Sequence, residues 1–514
     1  MALNFLSAPP KVTLTKAFTT PFRNVVATAK TCYSSKGIVM DEQVGEREKF
    51  APLAQSIYEA GHHTTFQHAH FQFALENVSR QFIWSFLHSH PFYNSEQVSQ
   101  RYVAVKPDTV VMPELPADQL AIYRECVELQ FAAYQRLSEM LEAPVRDQFY
   151  KRFNRSERMA KAHDRSISRK AQEAARYVLP IGTHAYLYHT VSGITLLRYY
   201  RVAEMLDTPS EQRLVLQRMV DELLSLDRDY EITLQEPLDP SLFPETAILG
   251  SRPRNAAAFT QEFDTDLGGR TSLLTSYTAN AEAAVANAVR EVLGFTRSEM
   301  PDADAVRLAA SPEHNRLLGE SLNLTTLDKV SRALFHAHFT FRKRLSHAAD
   351  SQDQRHRMTP ASRPCLATHL HTDPDYIYPE VVRIDDAARA VYDETMQRTW
   401  ECIGRLRRLG ATDEAALYLL PNAVTVRFTE SADFLNLRHK HQMRLCYNAQ
   451  EEIWRASVDE ADQIRRVFPT LGQFLLPPCK VRQLARQKPI CPEGPRYCGV
   501  RVWTLDLDDY ERVI

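Results

Sequence analysis

Three short stretches occur twice in the same order, and this repetition constrains the fold more than any single motif. LTKAFTTPFRNVVATAK (14–30) lines up with LTSYTANAEAAVANAVR (274–290), HAHFQF (68–73) with HAHFTF (336–341), and ARYVLP (175–180) with ALYLLP (416–421). The offsets, 274 − 14 = 260, 336 − 68 = 268 and 416 − 175 = 241, are similar but unequal, as loops of different length would make them. The 514 residues exceed one ordinary core, so two copies of one α/β fold are expected. Copy one is placed at 1–240 and copy two at 270–514. Between them, 241–269 is the linker candidate, rich in Pro and Gly and without sustained period.

Hydrophobic residues at 44% and charged residues at 25% suit a soluble globular protein. The charge balance, 62 − 64 = −2, carries no basic excess and argues against nucleic acid as the main partner. The roughly 18–20 apolar residues of a membrane span are missing, and MALNFLSAPPKVTLTKAF does not read as a signal peptide. Eight scattered cysteines fit a reducing compartment. A cytoplasmic protein without a membrane partner is the expectation.

Periodicity predicts helices over 19–35, 118–145, 156–178, 209–233 and 278–295, and a strand passing into an aromatic helix over 71–87. The chemistry is unevenly shared. SEQVSQRYV (95–103) offers Ser95, Glu96, Gln97, Ser99 and Arg101 as a grip for a phosphorylated ligand, but His88-Ser89-His90 stands where more arginine would help. In LSHAADSQDQRHRMTPASR (345–363), Arg355 and Arg357 flank His356, and two guanidiniums so placed can clamp phosphates. A solvated charge cluster has the same composition.

These stretches resemble the flavin-dependent thymidylate synthases, whose signature has the form RHRxxSxNExSxRY after a His-x-x-Phe-x-Phe strand and a V-S-R-x-x-x-x-Q helix. The chain resembles two diverged copies of that family. GHHTTFQHAHFQFALENVSR (61–80) and SEQVSQRYV match the lead-in and the right half of the signature; LSHAADSQDQRHR (345–357) matches the lead-in and the left half. Copy one keeps Arg176 in ARYVLP but has Ala203 at the family's later arginine. Copy two has Leu417 for the first arginine and keeps the second as Arg444 in MRLCYNAQEEIW (443–454).

The resemblance implies an α+β fold: two tandem thymidylate synthase-complementing-like domains, each a mixed, mostly antiparallel sheet with long flanking helices. It also implies reductive methylation of dUMP to dTMP with FAD, NADPH and methylenetetrahydrofolate. Family enzymes are tetramers with sites shared between subunits. The copies are therefore expected to build one composite site and the chain to form a homodimer that mimics the tetramer. Substrate contacts would come from Glu96, Gln97, Ser99, Arg101, Arg176, Gln352, Arg355 and Arg444, with Arg176 and Arg444 catalytic. His62, Thr64, Arg355, His356 and Arg357 would hold the cofactor.

The departures are Gln67 for a usual glutamate, a carboxylate displaced by one position at Glu96–Gln97, and Ser192 and Asp433 where an asparagine often contacts flavin. The residues leave open an active synthase, a relative acting on another pyrimidine nucleotide, and a non-catalytic nucleotide-binding homologue. His-x-His pairs at His68/His70, His88/His90, His336/His338 and His369/His371 have no third ligand at convincing spacing, so no metal is assigned to them. Cys479, Cys491 and Cys498 in the tail fit either a zinc site lacking its fourth ligand or reduced structural thiols. The arginines of TWECIGRLRRLG (399–410) read as a solvated helix face.

Overall fold

The computed structural model describes residues 3–88, 91–155, 157–205, 207–370 and 373–514. Two four-stranded antiparallel sheets repeat one topology. The first runs β1 (Lys11–Ala17), β2 (His70–Ser79), β4 (His184–Ser192), β3 (Tyr93–Gln97); the second runs β5 (Ser272–Tyr277), β6 (His338–Ser346), β8 (Thr425–Asp433), β7 (Ala361–Ser362). Alternation makes these strands: Phe71, Phe73 and Leu75 of β2 and Phe339, Phe341 and Leu345 of β6 point into the cores. Lys343 breaks the pattern, lying fully buried where alternation calls for an apolar side chain.

Several predicted helices are divided. The stretch 118–145 forms Ala117–Met140 and then Glu142–Tyr150, and 209–233 stops at Leu226 before a 3₁₀ turn. The linker candidate is helical where its sequence suggested irregular chain. It forms Pro244–Ser251 and Ala256–Leu267, the second capped by the Asn255 side chain and closed by left-handed Gly268. Only Phe263 and Leu267 of that second helix are buried, too few to give a readable period. Asp264 and Asp266 fasten it to Arg427 and Arg342 of the second sheet.

The copies share a core. Ile122, Phe131, Leu137, Val178 and Leu179 pack in one cluster with Tyr392, Met396, Trp400, Leu417 and Leu420. Across it the two Leu-Pro turns pair backbone to backbone. Ile181 N–H donates to Leu420 C=O and Asn422 N–H to Leu179 C=O, both at 2.8 Å; Gly182 N–H donates to Tyr418 C=O and Ala423 N–H to Tyr177 C=O, both at 2.9 Å. An offset of 241 (422 − 181 = 420 − 179 = 241) maps each bond onto its mate, the signature of a two-fold relation between copies. Gly182 is required there, because a Cβ would lie 2.8 Å from the Tyr418 carbonyl oxygen.

Candidate active site

At the end of β2 and of β6 a serine turns the chain into a helix. Glu211 accepts from the Ser79 backbone N–H and hydroxyl, each at 2.6 Å; Glu452 accepts from the same groups of Ser346 at 2.5 and 2.6 Å. The Tyr177 hydroxyl donates to Glu452 at 2.6 Å and that of Tyr418 to Glu211 at 2.9 Å, so each copy's tyrosine completes the other copy's carboxylate. These buried bonds set the direction of the helices Arg80–His88 and His347–Asp353.

The last turn of His347–Asp353 carries Gln352, and Gln352 joins the two halves. Its Oε1 accepts from Arg101 Nη1 at 3.4 Å, and its Nε2 donates to Gln450 Oε1. Arg176 Nη2 donates to the same Gln450 oxygen at 3.0 Å, while Gln450 Nε2 donates to the Tyr177 hydroxyl. Arg444 Nη2 donates to the Gln352 carbonyl at 2.6 Å and its Nε to His356 Nε2 at 2.9 Å. Arg101 and Arg176 from copy one thus form one hydrogen-bonded network with Gln352, His356 and Arg444 from copy two.

The network is strongly charged, with Arg176, Tyr177 and Gln450 buried and Arg101, Gln352, His356 and Arg444 partly buried. Burial would raise the Glu173 carboxyl, but Arg101, Lys170, Arg176 and Arg512 hold it down at about 2; Arg101 Nε lies 3.0 Å from it. Burial pushes Arg444 down to about 10, with Arg101 and Arg355 adding repulsion. Burial, then Arg444 and Lys440, hold His356 well below the ordinary imidazole range, so it is neutral and its Nε2 accepts. Arg101 Nη2 also donates to the Asn448 carbonyl at 2.8 Å. The buried Nε of Arg176 and of Arg80 and the Nε2 of Gln100 have no partner among the described residues.

Beside the network a cleft of about 240 Å³ opens between the copies, lined by Tyr93, Asn94, Ser95, Gln97, Arg355 and Arg357. Arg355 Nη2 meets both Glu96 carboxylate oxygens, at 2.7 and 2.8 Å. Arg357 lies over the Tyr93 ring and donates to the Pro91 carbonyl and to Asn94 Oδ1. Gln97 accepts from Arg80 Nη1 at 3.2 Å, and Ser99 Oγ accepts from the Arg101 backbone N–H. The displaced carboxylate of the sequence is therefore the partner of Arg355.

His62 and Thr64 are exposed on the turn before β2, and none of the hydrogen bonds of the arginine network reaches them. Ser192 bonds Thr195, and Asp433 caps the helix Phe434–Arg444. His90 and His371 lie outside the described residues, and His70 bonds the His68 carbonyl.

Sequence reasoning missed Arg80, Glu173, Tyr177, Asn448 and Gln450. Glu173 and Tyr177 could have been found, because Glu173 stands three residues before Arg176 on one helical face and Tyr177 next to it. Asn448 and Gln450 act through a carbonyl and an amide, and nothing in their spacing points to Arg101 or Arg176.

The family described as Thymidylate synthase complementing protein matches residues 13–226 and again 273–470. The flavin-dependent thymidylate synthase of Clostridium tetani is 28% identical over 194 residues, 37% of this chain and 73% of its own. That of Mycolicibacterium vanbaalenii is 27% identical over 237 residues, 44% of this chain and 87% of its own. Among solved structures, the UMP/dUMP methylase PolB of Streptomyces cacaoi bound with 5-Br dUMP aligns with a TM-score of 0.32 at 16% identity, covering 44% of this chain and 94% of that one. The chain belongs to the thymidylate synthase complementing protein family, with two copies of the family's domain in tandem in one polypeptide.

Proposed function

We propose that the chain is an FAD-dependent thymidylate synthase-like enzyme that reductively methylates dUMP to dTMP at one composite site between its copies. The observation that carries this reading is the bridge from Arg101 and Arg176 through Gln352 and Gln450 to Arg444. Neither copy holds that set alone. Arg101, Arg176 and Arg444 would offset a nucleotide phosphate's roughly −2 charge and polarise the uracil carbonyls. Such stabilisation grows in a site closed to water. Gln352 and Gln450 orient the guanidiniums, and neutral His356 holds Arg444 by its Nε.

Arg355 and Arg357 bring two exposed guanidiniums to the cleft, a donor set that fits the diphosphate of FAD and would hold it there. When bound, the flavin supplies hydride to the one-carbon unit from methylenetetrahydrofolate and is recharged by NADPH. No thiol nucleophile is assigned: the hydrogen bonds of the arginine network run through guanidiniums, amides, an imidazole and a hydroxyl, and none of them involves a cysteine. The ion pair of Arg355 with Glu96 favours a second reading, a nucleotide-binding homologue without turnover, because a carboxylate already occupies that guanidinium.

The purified chain is expected to be yellow, to bleach with NADPH and to reoxidise when dUMP and methylenetetrahydrofolate are added, with dTMP formed. A colourless protein that binds dUMP but no FAD would establish the second reading. A homodimer of the tandem chain, measured by light scattering, is the assembly this reading calls for.

A further inference from the structure

Four of the eight cysteines meet on the far side of the segment that carries Arg444. Cys446 lies two residues beyond it, Cys479 begins the helix Pro478–Leu484, and Cys491 and Cys498 follow in the turn-rich tail. All four line one cavity of about 10 Å³, walled also by Tyr447, Tyr497 and Trp503. That volume suits one ion and is too small for an organic ligand. We propose that Cys446, Cys479, Cys491 and Cys498 bind one zinc ion, which ties the tail to the segment carrying Arg444 and Asn448.

The surroundings fit a small metal ion. Backbone amides of Asn448, Lys480 and Val500 lie beside the sulfurs of Cys446, Cys479 and Cys498, and the Cys498 thiol donates to the Val500 carbonyl at 3.5 Å. Zinc with four thiolates carries a net −2, and Arg152 and Arg512 lie near Cys498, with Arg512 also near Cys446. The tail is already joined to the same segment: Asn448 Nδ2 donates to the Arg496 carbonyl at 2.6 Å and reaches Glu493 at 3.4 Å. Asn448 in turn receives Arg101 on its carbonyl, so the ion would sit directly behind the arginine network.

As they stand the sulfurs are not closed into a cage: among the described residues no three His, Cys, Asp or Glu side chains are in metal-ligand geometry. The four sulfurs nevertheless line the same cavity. A cage with Zn–S bonds of about 2.3 Å needs the sulfurs drawn inward, and a χ1 rotation moves a sulfur without moving its backbone. Binding releases the four thiol protons to solvent and changes no oxidation state.

The full chain, expressed with zinc in the medium, is expected to carry one zinc per chain by plasma mass spectrometry. Chelator-stripped protein given cobalt(II) alone should develop a thiolate-to-cobalt charge-transfer band. Cys491→Ser should lower it or abolish it, and Cys32→Ser, which alters an exposed thiol outside the cavity, should leave it unchanged. The stripped wild-type chain keeps the test decisive if Cys491→Ser does not fold. Less than a tenth of an equivalent of zinc with no cobalt band overturns the proposal, as does a disulfide among the four.

Discussion

The two-fold relation that builds the arginine network also defines its mate, and the two places have opposite charge. Subtracting 241 takes Arg444 to Ala203, Asn448 to Asp207 and Gln450 to Pro209; adding it takes Arg176 to Leu417 and Glu173 to Glu414. The mate surrounds a pocket of about 540 Å³ lined by Glu204, Asp207, Glu245, Asp413 and Glu414, with Arg213 paired to Glu204. Burial pushes Asp207 up to about 6 there. Both places keep the groups that hold the copies together, Glu211 with Tyr418 and Glu452 with Tyr177. Only one keeps the guanidiniums. The groups that fasten the copies have therefore been retained at both places and the guanidiniums of Arg176 and Arg444 at one; under the proposed function the first are needed twice and the second once.

The cores beneath the sheets differ in the same sense. Copy one packs Leu75, Phe86, His189 and Tyr199 together. Copy two has Lys343, Asp353, Glu430 and Lys440 at the matching positions, joined by Glu460. Lys343 lies 2.6 Å and Lys440 2.9 Å from Asp353, the residue after Gln352, so the ionic core stands directly behind the site.

The largest expected effect separates these cores. Asp353→Asn should destabilise the chain by about 3–5 kcal/mol, because it breaks the buried ion pairs that both lysines make with this carboxylate. Phe86→Leu should cost no more than about 2 kcal/mol. Urea denaturation measures both, and equal losses would mean that the ionic core is no more demanding than the aromatic one.

Next comes the split of the site. Arg101→Ala should weaken dUMP binding by about 100-fold, as loss of a largely buried charged donor does. Arg355→Ala, expected from the sequence to serve nucleotide and cofactor alike but exposed and already paired with Glu96, should weaken it by about 10-fold. Calorimetric titration checks this, and a site in which only one of the two matters is not shared between copies.

The tyrosines test the symmetry itself. Tyr177→Phe and Tyr418→Phe should each cost about 1–2 kcal/mol of stability, since each removes a hydrogen bond to a buried carboxylate. Only Tyr177→Phe should also weaken nucleotide binding, because its hydroxyl receives Gln450. If both variants impair binding equally, the mate has kept a nucleotide site.

The smallest effect is a pH slope. Burial raises Glu211 from 4.5 to about 7, against hydrogen bonds from Ser79 and Tyr418 that lower it. The folded chain then holds this proton over a range where the unfolded chain has lost it. The contribution is present below about 4.5 and is lost as pH rises through about 7. Stability measured across this window should fall less steeply in Glu211→Gln than in the wild type.

Part of this was legible in the residues. HAHFQF with HAHFTF and ARYVLP with ALYLLP exposed the duplication, and the two halves of the signature, with the later segments ARYVLP and MRLCYNAQEEIW, set Arg101 and Arg176 of one copy against Gln352, Arg355 and Arg444 of the other. The helices within 241–269 were hidden because prolines interrupt the stretch and only Phe263 and Leu267 of the second helix are buried. The ionic core was hidden because Lys343 stands between Arg342 and Arg344 in a basic run that reads as solvated, and only its counter-charges, 10 to 117 residues away, allow it inside.

By itself the sequence determined that there are two copies, that each retains what the other lacks, and which arginines survive. All of these are properties of residue identity and order along the chain. Tertiary structure alone decided that Gln352 and Gln450 carry the bridge, that Glu96 meets Arg355 and that Cys446 joins the tail cysteines. Those pairings depend on distances between segments remote in sequence, and Glu96 with Arg355 also crosses between the copies; sequence separation carries no information about such distances until the chain has folded.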